Sequence, residues 1–273
     1  VYCLLSLMCV LAYWLGGMSA LDAWAHMFAT MSLGGLSTHD ASFGHFQSPT
    51  LEWIAIVFML IASGNFALYF MALVKRQPGR IWRDTEWRGS IGLLVGAGVF
   101  VAGLLLVKGT MTDPLDTLRT AMFNVVSIGS TTGFATTDYT QWPVFAPLFM
   151  ILLSGIATSA GSTGAGIKMA RVLILVKHAR TEMTRIMHPR AVRPVVLGGH
   201  SVDSATLLSV LGFMLVYGAT IIALTMVLML TDLSFDTAFS AVVASVNNMG
   251  PGLNEVGPAG NFQGLTDVQT WVC

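Results

Sequence analysis

Apolar runs of membrane-spanning length alternate along this chain with short amphipathic segments and glycine-rich loops. Val1 to Leu15 is continuously apolar, enough for the inner part of a spanning helix whose beginning is missing, and Gly16-Gly17 ends it. Ser19 to Met31 is amphipathic and too short to span, with Ser19 or Asp22 placed to cap or charge its N-terminus. The loop Ser32 to Asp40 follows, and then Leu51 to Val74 reads as one spanning run anchored at its outer end by Trp53. The order then recurs. Ser90 to Val107 spans; Asp113 to Ser127 is a short helix with Pro114 in its first turn; Thr131-Thr132-Gly133-Phe134 follows; Val144 to Lys177 returns. A third circuit runs through Ser204 to Leu230, a short helix from Ser234 to Ser245, and the loop Asn247 to Gly252, and Thr266 opens a returning helix.

The three circuits superimpose without a gap on one glycine each, Gly35, Gly133 and Gly250, and an acidic residue falls five positions later in all three: Asp40, Asp138 and Glu255. A recurring unit of this kind fixes architecture before any residue-level reading. The unit is spanning helix, re-entrant half-helix, extended glycine loop, spanning helix. It predicts an all-α membrane protein of tandem repeats, divided as 1–76, 77–193 and 194–273.

Composition agrees. Charged residues are only 10% of the chain and hydrophobic ones 54%, with a mean hydropathy of +0.71, whereas a soluble domain carries about 25% charged residues. The formal net charge is zero, so the useful signal is where the positive charges stand. Lys75, Arg76, Arg80, Arg83 and Arg88 form one basic cluster, and Arg171, Lys177, Arg180, Arg185, Arg190 and Arg193 another. By the positive-inside rule both face the cytoplasm, which places the glycine loops on the outer side. Cys3, Cys9 and Cys273 show no disulfide or metal spacing, and the six histidines no metal pattern. His26, on a short helix, is expected to be packed or hydrogen-bonded. No catalytic constellation stands out, so neither an enzyme nor a cofactor is expected, and no nucleic-acid partner.

The loops carry the chemistry. A half-helix ending at mid-membrane points its partly negative end toward the axis, and a glycine-centred strand beyond it can turn carbonyl oxygens inward in place of an ion's hydration water. Asp40, Asp138 and Glu255 have two readings: a cation-concentrating outer vestibule, or ordinary solvated loop carboxylates. Downstream, Gly161, Gly164 and Gly166 interrupt what would otherwise be the returning membrane-spanning helix after Val144, and such a break is tolerated only where it is buried in protein or lines a water-filled cavity. It reads as a gate. Lys168, at its end, is either a functional intramembrane cation or a lysine reaching the inner interface beside Arg171. Gly161 to Lys168 only superficially resembles a nucleotide-binding loop, because Ile167 precedes the lysine and Met169 stands where Ser or Thr is needed.

With these stretches in place, Gly34-Gly35-Leu36-Ser37-Thr38-His39-Asp40, Thr131-Thr132-Gly133-Phe134, Ala160 to Lys168 and Asn247 to Gly252, the chain resembles the Trk/Ktr/HKT superfamily of potassium transporters, in particular the bacterial TrkH/TrkG membrane subunits. The resemblance implies repeats folded pseudo-symmetrically around a central ion pore, this chain holding the second, third and fourth. It implies filter carbonyls from Leu33, Gly34 and Gly35, from Thr131, Thr132 and Gly133, and from Asn248, Met249 and Gly250, with K+ as the transported ion. It further implies a gate of Gly161, Gly164, Gly166 and Lys168, a homodimer in the lipid bilayer of the bacterial inner membrane, and a cytoplasmic nucleotide-binding regulator like TrkA. Two departures stand out: Leu36 where the family commonly has an aromatic, and Ala165 where it often has glycine. An alternating-access cation symporter is the other transport reading, although repeats running in one orientation argue for a pore. A purely structural or assembly subunit is a third.

Overall fold

The computed structural model describes residues 1–189 and 194–273. Arg190 and Arg193, two members of the second basic cluster, lie outside the described residues.

The first circuit comprises α1 (Tyr2–Leu15), α2 (Ala20–Ser32), α3 (Pro49–Ala62) and α4 (Phe66–Val74). Helix α2 starts where Ser19 accepts a hydrogen bond from the Asp22 N–H, and α3 starts on Ser48 with Pro49 in its first turn. The second circuit holds α5 (Gly79–Arg83), α6 (Thr85–Val107), α7 (Pro114–Gly129), α8 (Phe145–Ile156) and α9 (Met169–Met187). The third has α10 (Ser204–Met229), α11 (Phe235–Val246) and α12 (Asp267–Val272), which a Thr266–Gln269 capping box opens. One two-residue β-hairpin, Val196–Leu197 with His200–Ser201, is the exception to the all-α expectation. It precedes α10 and packs beside α9, whose Lys177 donates to the Val196 carbonyl.

One expectation is corrected. Leu51 to Val74 is not one continuous span: it breaks at Ser63-Gly64-Asn65, and the two halves meet at 86°. The cause is local polar competition. The Ser63 hydroxyl donates to the Leu60 carbonyl, and the Asn65 side chain accepts from the N–H groups of Ala67 and Leu68, so a new helix starts there. Gly64 leaves room for the Tyr69 hydroxyl, which a Cβ would approach within 2.0 Å.

Among the described residues, two helices can cross a membrane by length and composition, α6 and α10, or three if the bent α3–α4 pair counts as one span. The apolar return after Val144 divides into α8 and α9, as the glycine spacing predicts, with the non-helical break running from Ala157 to Lys168.

The core is arranged around the short helices. From Ala121 to Gly129, α7 is buried on every face, and α11 is buried from Thr237 to Ala244 apart from Phe239. By contrast α10 exposes Leu208, Leu215 and Ile222 at about 70%. An apolar helix left open on its outside presents that face to lipid. The polar-capped short helices thus fill the centre, and the long apolar ones surround them.

Candidate functional site

The three short helices end alike. Each closes with a residue in the left-handed region: Leu33 at φ 56°, Thr131 at 64°, Asn248 at 49°. In each the same two backbone bonds close the end. Leu33 and Gly34 donate to Thr30 and Ala29, Thr131 and Thr132 to Ile128 and Ser127, and Asn248 and Met249 to Ser245 and Ala244. This is a Schellman closure, normally made by glycine; here non-glycine residues adopt it three times, at some cost in backbone strain. Two positions on, Gly35, Gly133 and Gly250 are again left-handed, at 62°, 88° and 92°. The peptide planes are therefore set in the same alternating pattern in all three loops.

The loops lie side by side in chain order. A Cβ on Gly35 would sit 2.0 Å from the Thr132 carbonyl oxygen, and one on Gly133 would sit 2.2 Å from that of Met249. Gly44 adds a backbone bond to the Ala135 carbonyl at 3.1 Å, which joins the first loop to the second again on the outer side. Gly133, Gly250, Pro251, Ser42 and Ala135 line a common cavity of about 270 Å3.

Each loop is buttressed by its own short helix. In the second, the Ser127 hydroxyl donates to the Phe134 carbonyl at 2.7 Å, and the Asn124 amide donates to the Thr136 hydroxyl at 2.9 Å. In the third, the Ser240 hydroxyl accepts from the Leu253 N–H at 2.9 Å. The first departs from this pattern. Phe134 is fully buried, but Leu36, at the equivalent position, is 79% exposed and buttresses nothing. Polar bonds take its place. His26, fully buried and hydrogen-bonded as expected, joins the Asp22 carbonyl and the Ser37 hydroxyl, each at 2.9 Å, and its ring stacks on Phe134. The Thr38 hydroxyl donates to the Asp22 carboxylate at 2.6 Å.

The loop between α8 and α9 lies against the inner ends of two glycine loops. The Thr163 hydroxyl donates to the Met31 carbonyl at 3.1 Å, and the Ala165 N–H donates to the Thr131 hydroxyl at 3.1 Å. Gly164 is buried, and a Cβ there would come within 2.6 Å of Thr158 and 3.0 Å of the Ser130 carbonyl. Gly166, at φ 83°, packs on the Ser154 and Gly155 carbonyls. Ala165 is tied at both backbone groups, its carbonyl accepting from Thr158 at 2.9 Å. Gly161 abuts Asn65 at the α3–α4 break, where the Phe66 N–H donates to its carbonyl and the Ser159 N–H donates to Ser63. The half-buried Lys168 ammonium turns back into the loop and donates to the Gly164 and Ser162 carbonyls.

The acidic trio occupies two settings. Asp40 and Glu255 are exposed, while Asp138 lines a separate cavity of about 440 Å3 with Glu52 and Arg119. Burial works against the ionised Asp138, but hydrogen bonds from Thr140 and Gln141 outweigh it and hold the carboxyl below the usual range.

These features are those of a known family. The family model TrkH, described as a cation transport protein, matches residues 1–266. The chain belongs to the TrkH family. It is 39% identical to the Trk system potassium uptake protein TrkH of Escherichia coli K12, over 100% of this chain and 56% of that one. It is 34% identical to the potassium uptake protein TrkG of the same organism, over 98% of this chain and 54% of that one. The crystal structure of the potassium transporter TrkH from Vibrio parahaemolyticus superimposes with a TM-score of 0.93 at 39% identity, over 98% of this chain and 57% of that one. The chain thus spans about half the length of the curated relatives it matches. The family is one of membrane transporters, not enzymes, and needs no cofactor.

Sequence reading overlooked two features of the site. Arg119 and Lys108 fall outside both basic clusters, and Arg119 bridges α7 to α3 through Glu52 at 2.9 Å while also holding Asp116 at 2.7 Å. An arginine midway along a short membrane helix, with an acid at the start of a spanning run, was the available signal. The docking of the α3–α4 break on the gate loop had a weaker one, the Ser63-Gly64-Asn65 triplet inside an apolar run.

Proposed function

We propose that this chain supplies three of the repeats of a potassium uptake pore in the bacterial inner membrane, crossing the bilayer several times, with segments 1–76, 77–193 and 194–273 as its repeat units. The observation that carries the reading is the threefold recurrence of one backbone device: a capped half-helix, a left-handed closure, and a left-handed glycine two residues later, with neighbouring loops in contact. The carbonyls of Leu33 to Gly35, Thr131 to Gly133 and Asn248 to Gly250 are the proposed ion ligands, replacing hydration water. The half-helices aim their negative ends at the same place. The names of the matched relatives, potassium uptake proteins of the Trk system, support K+ as the cargo.

The loop around Gly161, Gly164 and Gly166 is the proposed gate, with Lys168 as its internal tie. Its support is position: it is bonded to Met31 and Thr131 at the inner ends of two filter loops. Asp40, Asp138 and Glu255 are kept as a diffuse outer vestibule, acting through long-range attraction of cations rather than as ligands. A homodimer is proposed, with a cytoplasmic nucleotide-binding regulator of the TrkA type engaging the basic segments around Arg80 and Arg180.

The test is growth of a potassium-uptake-deficient bacterium on limiting potassium, using the complete reading frame that contains this chain, beside a Gly133→Asp version. Rescue by the native sequence alone is expected. Rescue by both detaches transport from Gly133 and favours a proton- or sodium-coupled carrier. Rescue by neither, with protein in the membrane, removes potassium uptake as the activity.

A further inference from the structure

We propose that Glu86, in the first turn of α6, is the latch of the gate loop: a positioning residue whose carboxylate ties the start of the loop to α6 and keeps it shut. The proposal rests on the reading of the Ala157 to Lys168 break as a gate. Glu86 is not occupied with its own helix, since the Asp84 side chain caps α6 by accepting from the Trp87 N–H at 2.7 Å. Its carboxylate instead crosses to the α8–α9 break. One oxygen accepts from the Ala160 N–H at the start of the loop.

Helix α9 needs such a partner. Its first residue follows Lys168, which makes no side-chain cap, and no acidic residue stands in its first turn. A helix N-terminus without a cap leaves N–H groups open and carries partial positive charge, which a carboxylate from a neighbouring helix satisfies. Lys168 completes the arrangement from the other side. Its ammonium fills the loop by donating to Gly164 and Ser162, and it lies within electrostatic reach of Glu86. One acid thus ties the loop's start while one base ties its middle.

The rest of the α6 start is packed for this contact. The Ser90 and Ser159 hydroxyls pair at 3.2 Å, both fully buried, and Gly89 lies against the Met169 side chain. The Trp87 indole donates to the Tyr69 hydroxyl at 3.0 Å, which ties the same turn to α4. The basic arm Lys75 to Arg83 leads directly into this turn, so a load applied there by a cytoplasmic partner reaches the loop through Glu86.

The test uses the purified product of the complete reading frame in proteoliposomes without a regulator, in a background freed of native cysteines and carrying Thr163→Cys. Rubidium flux is measured with Glu86, Glu86→Gln and Glu86→Asp, together with the rate at which a membrane-impermeant thiol reagent labels position 163. Glu86→Gln is expected to raise both basal flux and labelling rate about tenfold, the effect of weakening charge-assisted hydrogen bonds. Glu86→Asp, which keeps the charge, is expected to return both toward the native values. Labelling at 163 is expected to change the flux. If it does, but Glu86→Gln matches the native flux and labelling, the latch is refuted and the gate stands. If complete labelling leaves flux unchanged, the gate reading falls and the latch with it. Glu86→Met, of similar volume, repeats the comparison should Glu86→Gln fail to reach the membrane.

Discussion

Replacing Gly133 by alanine is the smallest change that tests the filter geometry. At φ 88° an L-residue is strained, by about 1–2 kcal/mol for left-handed backbone. The added Cβ would also lie 2.2 Å from the Met249 carbonyl oxygen and 3.2 Å from the Pro251 ring, where ordinary contact begins near 3.4 Å. Relieving that overlap takes a displacement of about 1 Å, and the obstacle is backbone of the adjacent loop, which cannot rotate away as a side chain can. The strain alone corresponds to a factor of roughly 5–30 if it is delivered to ion binding. The expected outcome is a loss of potassium flux by at least that factor, or a comparable fall in preference for potassium over sodium, with normal amounts of protein in the membrane. Flux is read as rubidium uptake into potassium-depleted cells with competing sodium. Gly109→Ala is the control, because Gly109 has the same left-handed backbone at φ 69° but open space where its Cβ would go. Full activity in Gly133→Ala, or an equal loss in Gly109→Ala, would refute the assignment of the Gly133 contact to the pathway.

Arg119→Met leaves the buried Glu52 without its partner, and a loss of about 1–3 kcal/mol is expected, less than for a fully buried pair because Arg119 keeps some solvent. Thermal denaturation in detergent reads it, and adding Glu52→Gln should restore most of the loss; no recovery in the double variant would count against the pair. Asp22 is held below the usual carboxylate range by hydrogen bonds from Thr38 and Ser19. A depressed carboxyl contributes stability above its unfolded pKa and loses it as pH falls through the folded value, so acid should loosen the first glycine loop below about pH 4. Asp22→Asn should flatten that acid limb of the stability curve, and an unchanged limb would refute the contribution.

Much was legible in the order of the residues. Gly35, Gly133 and Gly250 could be aligned because each must follow a half-helix at the same distance, and chain spacing records that directly. Helix starts were readable for the same reason, since Ser19, Pro114 and Thr266 act on the backbone within a turn of themselves. The interruption between Val144 and Lys177 showed as glycines where apolar residues were due. Long-range partners were not legible. The Ser63-Gly64-Asn65 triplet could signal a local break, but not that Ser159 and Gly161, far along the chain, dock on it. Leu36 stands where the family commonly has an aromatic, yet His26, Ser37, Thr38 and Asp22 brace that loop by bonds whose geometry exists only when helix and loop are folded together. Glu86 carried no signal of its own in the sequence, because only tertiary packing sets it across from Ala160. Local backbone preferences and hydrophobic period act over a few residues and are written in sequence. The pairing of separated polar groups depends on which surfaces pack together, and only the tertiary structure decides that.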